Sequence, residues 1–452
     1  MSISPGIFKA YDVRGIYPTE INEQTAREIG RGFVAYLQAH RIGVSRDMRL
    51  SSPALAEAFI AGARAQGADV VDYGMCATDM LYFGVVRDQL DGGAQITASH
   101  NPKAYNGVKM VRREAFPLSA DAGIGEIAAM VTAGTLPKPA GHEGTVQPRS
   151  LLDAYVEKVL SFIDPEAIAP FKVVLDAGSG MGGLVAPRLF DRLPCRTTRM
   201  CFQIDGAFPN HEANPLIEEN RRDIVERVKA EKADIGIAWD GDADRCFFID
   251  GQGEFIAGDF ITALLAQVFL RRSPGDKIIY DVRASYAVKD AVAEFGGTAL
   301  MNRVGHAFIK ARMRDENAVF GGEVTGHYYF RDFHYADNGF IPALLILDLM
   351  SRRKMTLADL IAPLRARYFI SGEINTKVND MTTVAARLDD LRARYHNGHT
   401  YELDGFSAEY PDWHFNVRPS NTEPMLRLNL EATTSERMNQ RRDEVLGVIR
   451  RP

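Results

Sequence analysis

"SSPALAEAFIAGARAQGADVVDYG", residues 51–74, is the stretch on which the fold reading turns. Ser52 suits a helix N-cap, Pro53 the first helical position and Gly67 the C-cap. "ADVVDYG" then reads as a strand, a short β-branched run closed by glycine. A helix running straight into a strand is one α/β unit. Working outward, helical and strand patterns alternate up to roughly residue 360, which favours α/β layers with mixed or parallel sheets. A buried-strand run "FKVVLDAGSG" (171–180) leads to "ADIGIAWDGDADRCFFIDGQG" (233–253). "GDFITALLAQVFL" (258–270) opens a third unit that closes with "ALLILDLMSRRKMTLADLIAPL" (343–364). "GTLPKPAGHEGTVQP" (134–148), rich in Gly and Pro and without periodicity, reads as a linker. From Tyr368 onward the chain is charged and mixed, as in a smaller α+β domain. The expected domains are 1–145, 146–252, 253–366 and 367–452.

At 452 residues the chain exceeds one hydrophobic core, since cores stop growing at about 250–300 residues. Lys and Arg number 53 against 59 Asp and Glu, and the net charge of −6 argues against a nucleic-acid partner. Cys76, Cys195, Cys201 and Cys246 are scattered, with no C-x-x-C and no spacing suited to zinc. No signal peptide is legible at the N-terminus, and no apolar run approaches the ~20 residues of a membrane span. A cytoplasmic, thiol-reduced protein that needs no membrane is expected.

The strongest chemical signal is "WDGDADRCF", residues 239–247. Asp240, Asp242 and Asp244 alternate directly after the apolar strand "IGIAW". Carboxylates this close repel unless a cation neutralises them, and an all-oxygen set suits Mg²⁺ or Ca²⁺. An EF-hand loop would need Gly at its sixth position and Glu at its twelfth, where this chain has Arg245 and Gly251. A solvated acidic turn is the plainer alternative. "ITASHNPKAYNGVKM" (96–110) sets Ser99 beside His100 in a stretch without helix or strand signal, either a surface turn or a nucleophile on a loop. "DAGSGMGG" spaces Gly178, Gly180 and Gly183 as G-x-G-x-x-G, either a dinucleotide fingerprint with Asp205 as ribose partner or a tight connection. An NAD-dependent oxidoreductase is the rival reading it supports, although that leaves the carboxylate triplet unexplained.

"GGEVTGHYYF" (321–330) carries Glu323, Thr325 and His327 at alternate positions. In an extended segment they project to one side, a row suited to a polyol such as a sugar. "NVRPSNTEP" (416–424) groups Arg418, Ser420, Asn421 and Thr422, whose fork and turn donors suit a phosphate, or an Asx-type turn.

Taken in order, "TASHNP", "DGDADR", "GEVTGH" and "RPSNTEP" resemble the motifs of the α-D-phosphohexomutase family, the phosphomannomutase/phosphoglucomutase enzymes. The similarity extends from "FKAYDVRG" to "RPSNTEPMLRLNLEA". It implies four domains around a central cleft, three similar α/β domains with mixed sheets and a C-terminal α+β domain. It implies a phosphate carried on Ser99, one Mg²⁺ held by that phosphate with Asp240, Asp242 and Asp244, and a 1,6-bisphosphate of glucose or mannose as activator. Glu323, Thr325 and His327 match the sugar loop, and Arg418, Ser420, Asn421 and Thr422 the phosphate loop. Tyr11, Arg14, Lys109, Arg245, Arg283 and His306 match positions around the reacting end. Lys109 and His306 are the candidate general bases, Lys109 the favoured one and requiring a depressed pKa, and His100 is expected to orient the serine. The sugar loop departs from the usual pattern at Val324 and Thr325, where Met and Ser are more common. The pattern as a whole, including "YYFRDFHYADNGFIPALLILDLM", is most similar to the bacterial phosphomannomutases. That implies a phosphosugar substrate feeding GDP-mannose and surface polysaccharide, with glucose phosphate as the alternative. A monomer or weak dimer is expected.

Overall fold

The structure is a computed structural model that describes residues 3–420 and 424–451. The chain divides into two compact units. The first comprises Met1–Ile256, Met313–Asp315 and Thr325–Leu357; the second comprises Ala257–Arg312, Glu316–Val324 and Ala358–Pro452.

The first unit contains two mixed sheets. In one, Arg41–Arg46 pairs in parallel with Asp69–Met75 and with Gly92–Ile96. Tyr105–Arg112 and then Val13–Ile16 extend it antiparallel. Ile42, Val44, Val70, Ala94 and Ile96 point into a core closed by Phe33 and Phe59 of the overlying helices. Those helices, Glu23–Leu37 and Ser52–Ala65, approach closely because Gly30 and Gly62 face backbone. A Cβ on Gly62 would lie 2.0 Å from the Arg27 carbonyl oxygen.

The helix predicted from the opening stretch forms, with one correction at its start. Ser51 is the N-cap and makes no side-chain cap bond. Ser52 lies inside the helix, its hydroxyl donating to Asp47 Oδ1 (2.6 Å) and accepting from Asn106 Nδ2 (3.0 Å). Burial beside two polar side chains outweighs capping. Gln66 closes the helix and Gly67 follows with φ +94°. The segment read as a linker also does more than connect. It packs back through Gly144 N to Arg64 O, and Val146–Pro148 adds a parallel strand beside Asp69–Met75.

The second sheet of this unit runs Phe255–Ile256, Cys246–Asp250, Ile235–Trp239, Lys172–Asp176, Arg196–Met200. Its centre is parallel, and the 235–239/246–250 hairpin is antiparallel. Its strands Ile235–Trp239 and Cys246–Asp250 are buried along their whole length, as strands covered on both faces are.

In the second unit, Lys277–Asp281 pairs in parallel with Thr298–Asn302 and with Phe320–Gly322. An antiparallel sheet built on Trp413–Pro419 and Met425–Ala432 forms its C-terminal part, with helices Met381–Arg394 and Ser435–Ile449. Trp413, Phe415, Leu428, Leu430, Val445 and Ile449 make that core. Among the described residues no helix is long and apolar enough to cross a membrane.

Candidate active site

Strand Gly92–Ile96 ends in a polar loop, and Ser99 sits on it with φ +52°. A non-glycine residue in that region carries a cost on the order of 1–2 kcal/mol and persists only where its surroundings hold it. Here they do. Ser99 N donates to Thr97 Oγ1 (2.8 Å). Arg49, 1% exposed, donates to the carbonyl oxygens of Ser99 (2.9 Å), Asn101 (2.6 Å), Pro102 (2.9 Å) and Tyr105 (3.0 Å). Asp47 balances its charge at 3.2 Å. Sequence reasoning missed Arg49 because its partners are backbone atoms about fifty residues away.

Strand Ile235–Trp239 delivers the acidic loop to the same place. Asp240, Asp242 and Asp244 are all buried, and Ser99 Oγ donates to Asp240 Oδ2 at 3.0 Å. The approach requires glycine between the first two acids. A Cβ on Gly241 would lie 2.5 Å from the Ser99 carbonyl oxygen. Asp242 Oδ2 accepts from Thr78 Oγ1 (2.5 Å) and Lys109 Nζ (2.7 Å), and Lys109 Nζ reaches Asp244 Oδ2 at 2.5 Å. Burial and the charges of Asp244 and Asp242 push the Asp240 carboxyl well above its ordinary range.

The donor set fits a hard divalent cation. Each aspartate offers an oxygen within 4.8 Å of the others. Asp242 Oδ1 and Asp244 Oδ1 are buried without a hydrogen-bond partner, so the loop holds acceptor capacity that the protein does not use.

Lys109 departs from expectation. Burial alone would depress its ammonium, but the Asp242 and Asp244 carboxylates outweigh that and raise its pKa above the ordinary lysine value. In this arrangement the two carboxylates favour the ammonium form of Lys109. His100 goes the other way. Burial, then the charges of Arg245 and Arg14, hold it well below the usual histidine range, so the ring is neutral. Its Nδ1 is 3.1 Å from Ser99 Oγ. Arg14 donates to Asn101 Oδ1 (2.7 Å) and pairs with Asp12; Tyr11 is half-buried in the bend just before strand Val13–Ile16.

The stretch 323–327 is not extended. Phe320–Gly322 ends before it, and a turn through Gly326 (φ +85°) leads into strand Tyr328–Phe330. The expected one-sided row of Glu323, Thr325 and His327 is thereby broken. His327, 4% exposed, accepts from Arg245 Nε through Nε2 (2.9 Å) and sets Nδ1 3.0 Å from Asp337 Oδ2. Arg245 Nε lies 3.6 Å from Asp240 Oδ2. Thr325 is half-buried in the turn.

In the second unit, buried Arg283 is gripped bidentately by Asp281 (2.9 and 3.0 Å). Glu323 Oε1 accepts from Gly305 N (2.9 Å) and lies 3.9 Å from Arg283 Nη2. Glu373, which the sequence did not single out, stands 3.3 Å from both Arg283 and Arg418 and 3.5 Å from Arg427. Arg283 is already matched by Asp281, so Glu373 is shared with Arg418 and Arg427, whose forked donors suit an anion. Ser420 is buried at the end of strand Trp413–Pro419; Asn421 and Thr422 lie outside the described residues. His306 opens helix His306–Glu316 with Nδ1 3.3 Å from the buried Lys310 ammonium.

The glycines of "DAGSGMGG" make a tight connection. A Cβ on Gly180 would lie 2.5 Å from the Gly241 carbonyl oxygen and one on Gly183 2.6 Å from that of Phe202. Asp205 Oδ1 accepts from Ala207 N in a local turn.

Four family descriptions match in chain order: phosphoglucomutase/phosphomannomutase α/β/α domain I over residues 5–138, domain II over 153–253, domain III over 257–368 and the C-terminal domain over 373–448. Phosphohexose mutases of Xanthomonas campestris pv. campestris are 44% identical over 449 residues, covering 98% of this chain and 99% of theirs. The chain belongs to the phosphoglucomutase/phosphomannomutase family. A phosphomannomutase of Escherichia coli is 41% identical over 454 residues, covering 98% of this chain and 99% of its own. A crystal structure of a phosphoglucomutase/phosphomannomutase family protein from Burkholderia thailandensis superposes with a TM-score of 0.88 at 34% identity, covering 99% of this chain and 98% of that one. The family identity makes the chain an isomerase of four domains, three α/β and one C-terminal.

Proposed function

We propose that this family member interconverts mannose 6-phosphate and mannose 1-phosphate by passing a phosphoryl group to and from Ser99. The observation that supports it is Ser99 Oγ, buried and 3.0 Å from a carboxylate of the acidic loop. An oxygen in that position has no packing role, and a phosphoryl group on it would lie among Lys109, Arg245 and the loop's unused acceptors. Phosphoryl transfer depends mainly on positioning and on neutralising charge as it develops. Arg49 and Thr97 fix the serine in place. Lys109, held by Asp242 and Asp244, and Arg245, held by His327, supply immobile positive charge. Asp240, Asp242 and Asp244 would hold Mg²⁺, which when bound supplies Lewis-acid neutralisation of phosphoryl oxygens.

The reaction then divides into two transfers. The substrate hydroxyl attacks the phosphoryl group on Ser99, the P–Oγ bond breaks, the leaving Oγ takes up a proton by way of His100 as the attacking hydroxyl gives one up, and a 1,6-bisphosphosugar forms. After the sugar turns end for end, Ser99 Oγ attacks the other phosphoryl group, passing its proton to Nδ1 of His100 while the sugar oxygen that leaves is protonated. Arg14, bonded to Asn101, flanks the serine loop, and Tyr11 would contribute to the substrate contacts. Arg418, Ser420, Asn421 and Thr422 take the phosphate that does not transfer, with Arg283, Glu323, Thr325 and His306 completing the sugar contacts. A mannose or glucose 1,6-bisphosphate would restore the phosphoserine when it is lost. Mannose 1-phosphate would serve GDP-mannose formation in the cytoplasm.

Turnover of mannose 1-phosphate and glucose 1-phosphate, each with a catalytic amount of 1,6-bisphosphate and Mg²⁺, tests the reading. The expected result is 6-phosphate product with a higher kcat/KM for mannose. Conversion of the glucose substrate alone would overturn the mannose assignment.

A further inference from the structure

The turn after strand Lys172–Asp176 gathers three side chains that the proposed chemistry does not use: Asp176, Cys201 and His211. They come from separate segments and offer three kinds of ligand atom within 4.8 Å of one another. His211 Nε2 lies 3.0 Å from Asp176 Oδ2 and 3.7 Å from Cys201 Sγ. A tetrahedral zinc ion with ordinary bond lengths sets nitrogen and oxygen ligands about 3.4 Å apart, and nitrogen and sulfur about 3.6 Å. The nitrogen–sulfur separation matches, and the nitrogen–oxygen pair, now joined by a hydrogen bond, has to open by about 0.4 Å to admit an ion.

The other imidazole nitrogen adds an independent constraint. His211 Nδ1 is 3.0 Å from the Glu212 carbonyl oxygen. A carbonyl and a carboxylate only accept, so without an ion Nδ1 donates to Glu212 and Nε2 to Asp176, and an ion would take the place of the Nε2 hydrogen. Histidines that ligate metals ordinarily donate their second N–H in this way, which fixes the ring. Asp176 is held as well, because its Oδ1 accepts from Gly178 N at 2.9 Å and leaves Oδ2 for His211. Asp176 is buried, whereas Cys201 and His211 are partly exposed, so an ion has a path in and a water can complete the shell.

We propose that Asp176, Cys201 and His211 form a second metal site, selective for a borderline-soft divalent ion of the zinc class. Mixed sulfur, nitrogen and oxygen ligands distinguish it from the all-oxygen aspartate loop. Binding releases two protons to solvent, that of the Cys201 thiol and that of His211 Nε2, in exchange for a sulfur–metal and a nitrogen–metal bond. The site also bears on the aspartate loop. The turn that starts at Asp176 donates Met181 N to Gly241 O (2.9 Å), so an ion there braces the backbone behind Asp240 and Asp242.

Titration of the full-length protein with Co²⁺, in excess Mg²⁺ to hold the aspartate loop, decides the matter. The expected result is a thiolate-to-cobalt charge-transfer band that saturates at one ion per chain and is bleached by one equivalent of Zn²⁺. Cys201→Ser should abolish the band, and His211→Gln should weaken Co²⁺ binding at least tenfold. Cys195→Ser should leave both unchanged. No band in the wild type, or a band that survives Cys201→Ser, overturns the proposal. So does unchanged affinity in His211→Gln, which reads the same site if the cysteine variant fails to fold.

Discussion

At the scale of single residues, Ser99 is the product of its supports. The left-handed backbone that aims its hydroxyl at Asp240 would relax without the four carbonyl bonds from Arg49. Arg49→Lys keeps the charge but cannot span that fan of acceptors, so buried carbonyls and Asp47 lose partners. Breaking a buried charge pair costs about 3–5 kcal/mol, and retaining the charge should hold the loss to roughly 2–3 kcal/mol. Because the nucleophile shifts, kcat should fall about 100-fold with KM changed far less. Urea unfolding and steady-state kinetics on the same variant read both effects. A second residue-scale expectation concerns Lys109. Held as a cation, it should be replaced poorly by neutral residues, and Lys109→Met should lose kcat at every pH. Recovery of activity at high pH would instead point to an ammonium that must lose its proton.

At the scale of elements, the two loops meet because glycine permits it. Gly241→Ala puts a Cβ against the Ser99 carbonyl at 2.5 Å, and one backbone must move. Activity should drop on the order of 100-fold and Tm should fall. Gly447, inside helix Ser435–Ile449, faces open space. Gly447→Ala should therefore stabilise by about 0.5–1 kcal/mol without touching kcat. This scale also shows where sequence reading works. The acid alternation after "IGIAW" was legible because strand and loop are contiguous, and the helix at 52–65 because Pro53 near its start, Gly67 past its end and its apolar face are local. The sugar stretch misled because Gly326 breaks the alternation, and its constraint, Phe247 at 2.8 Å from a built Cβ, is remote in sequence. Arg49 and Glu373 gave no signal, since a buried cation among carbonyls or a carboxylate among arginines is defined only in three dimensions. Cys201 and His211 were invisible for the same reason.

At the scale of the whole molecule, stability should carry a signature of buried acids outside the proposed chemistry. Asp259 is fully buried in the second unit, and burial pushes its carboxyl up to about 6 despite N–H donors from Ser285 and Phe260. Its unfolded value is about 3.9, so the stability it contributes is full below that pH and is lost as pH rises through 6. The difference amounts to roughly 2–3 kcal/mol. Asp259→Asn should therefore be more stable than wild type at pH 8 by up to that amount, with the gap closing by pH 4, as read by urea unfolding at each pH. A wild type that gains stability relative to the variant on going from pH 4 to 8 would contradict this. The account as a whole depends on the hydroxyl at residue 99 being the group that carries phosphate. Intact-mass measurement of the protein after incubation with a 1,6-bisphosphosugar and Mg²⁺ tests that directly. The account predicts a gain of one phosphoryl group, mapped to Ser99 and absent from Ser99→Ala. A fully active enzyme that never takes up phosphate, or takes it up elsewhere, would contradict it.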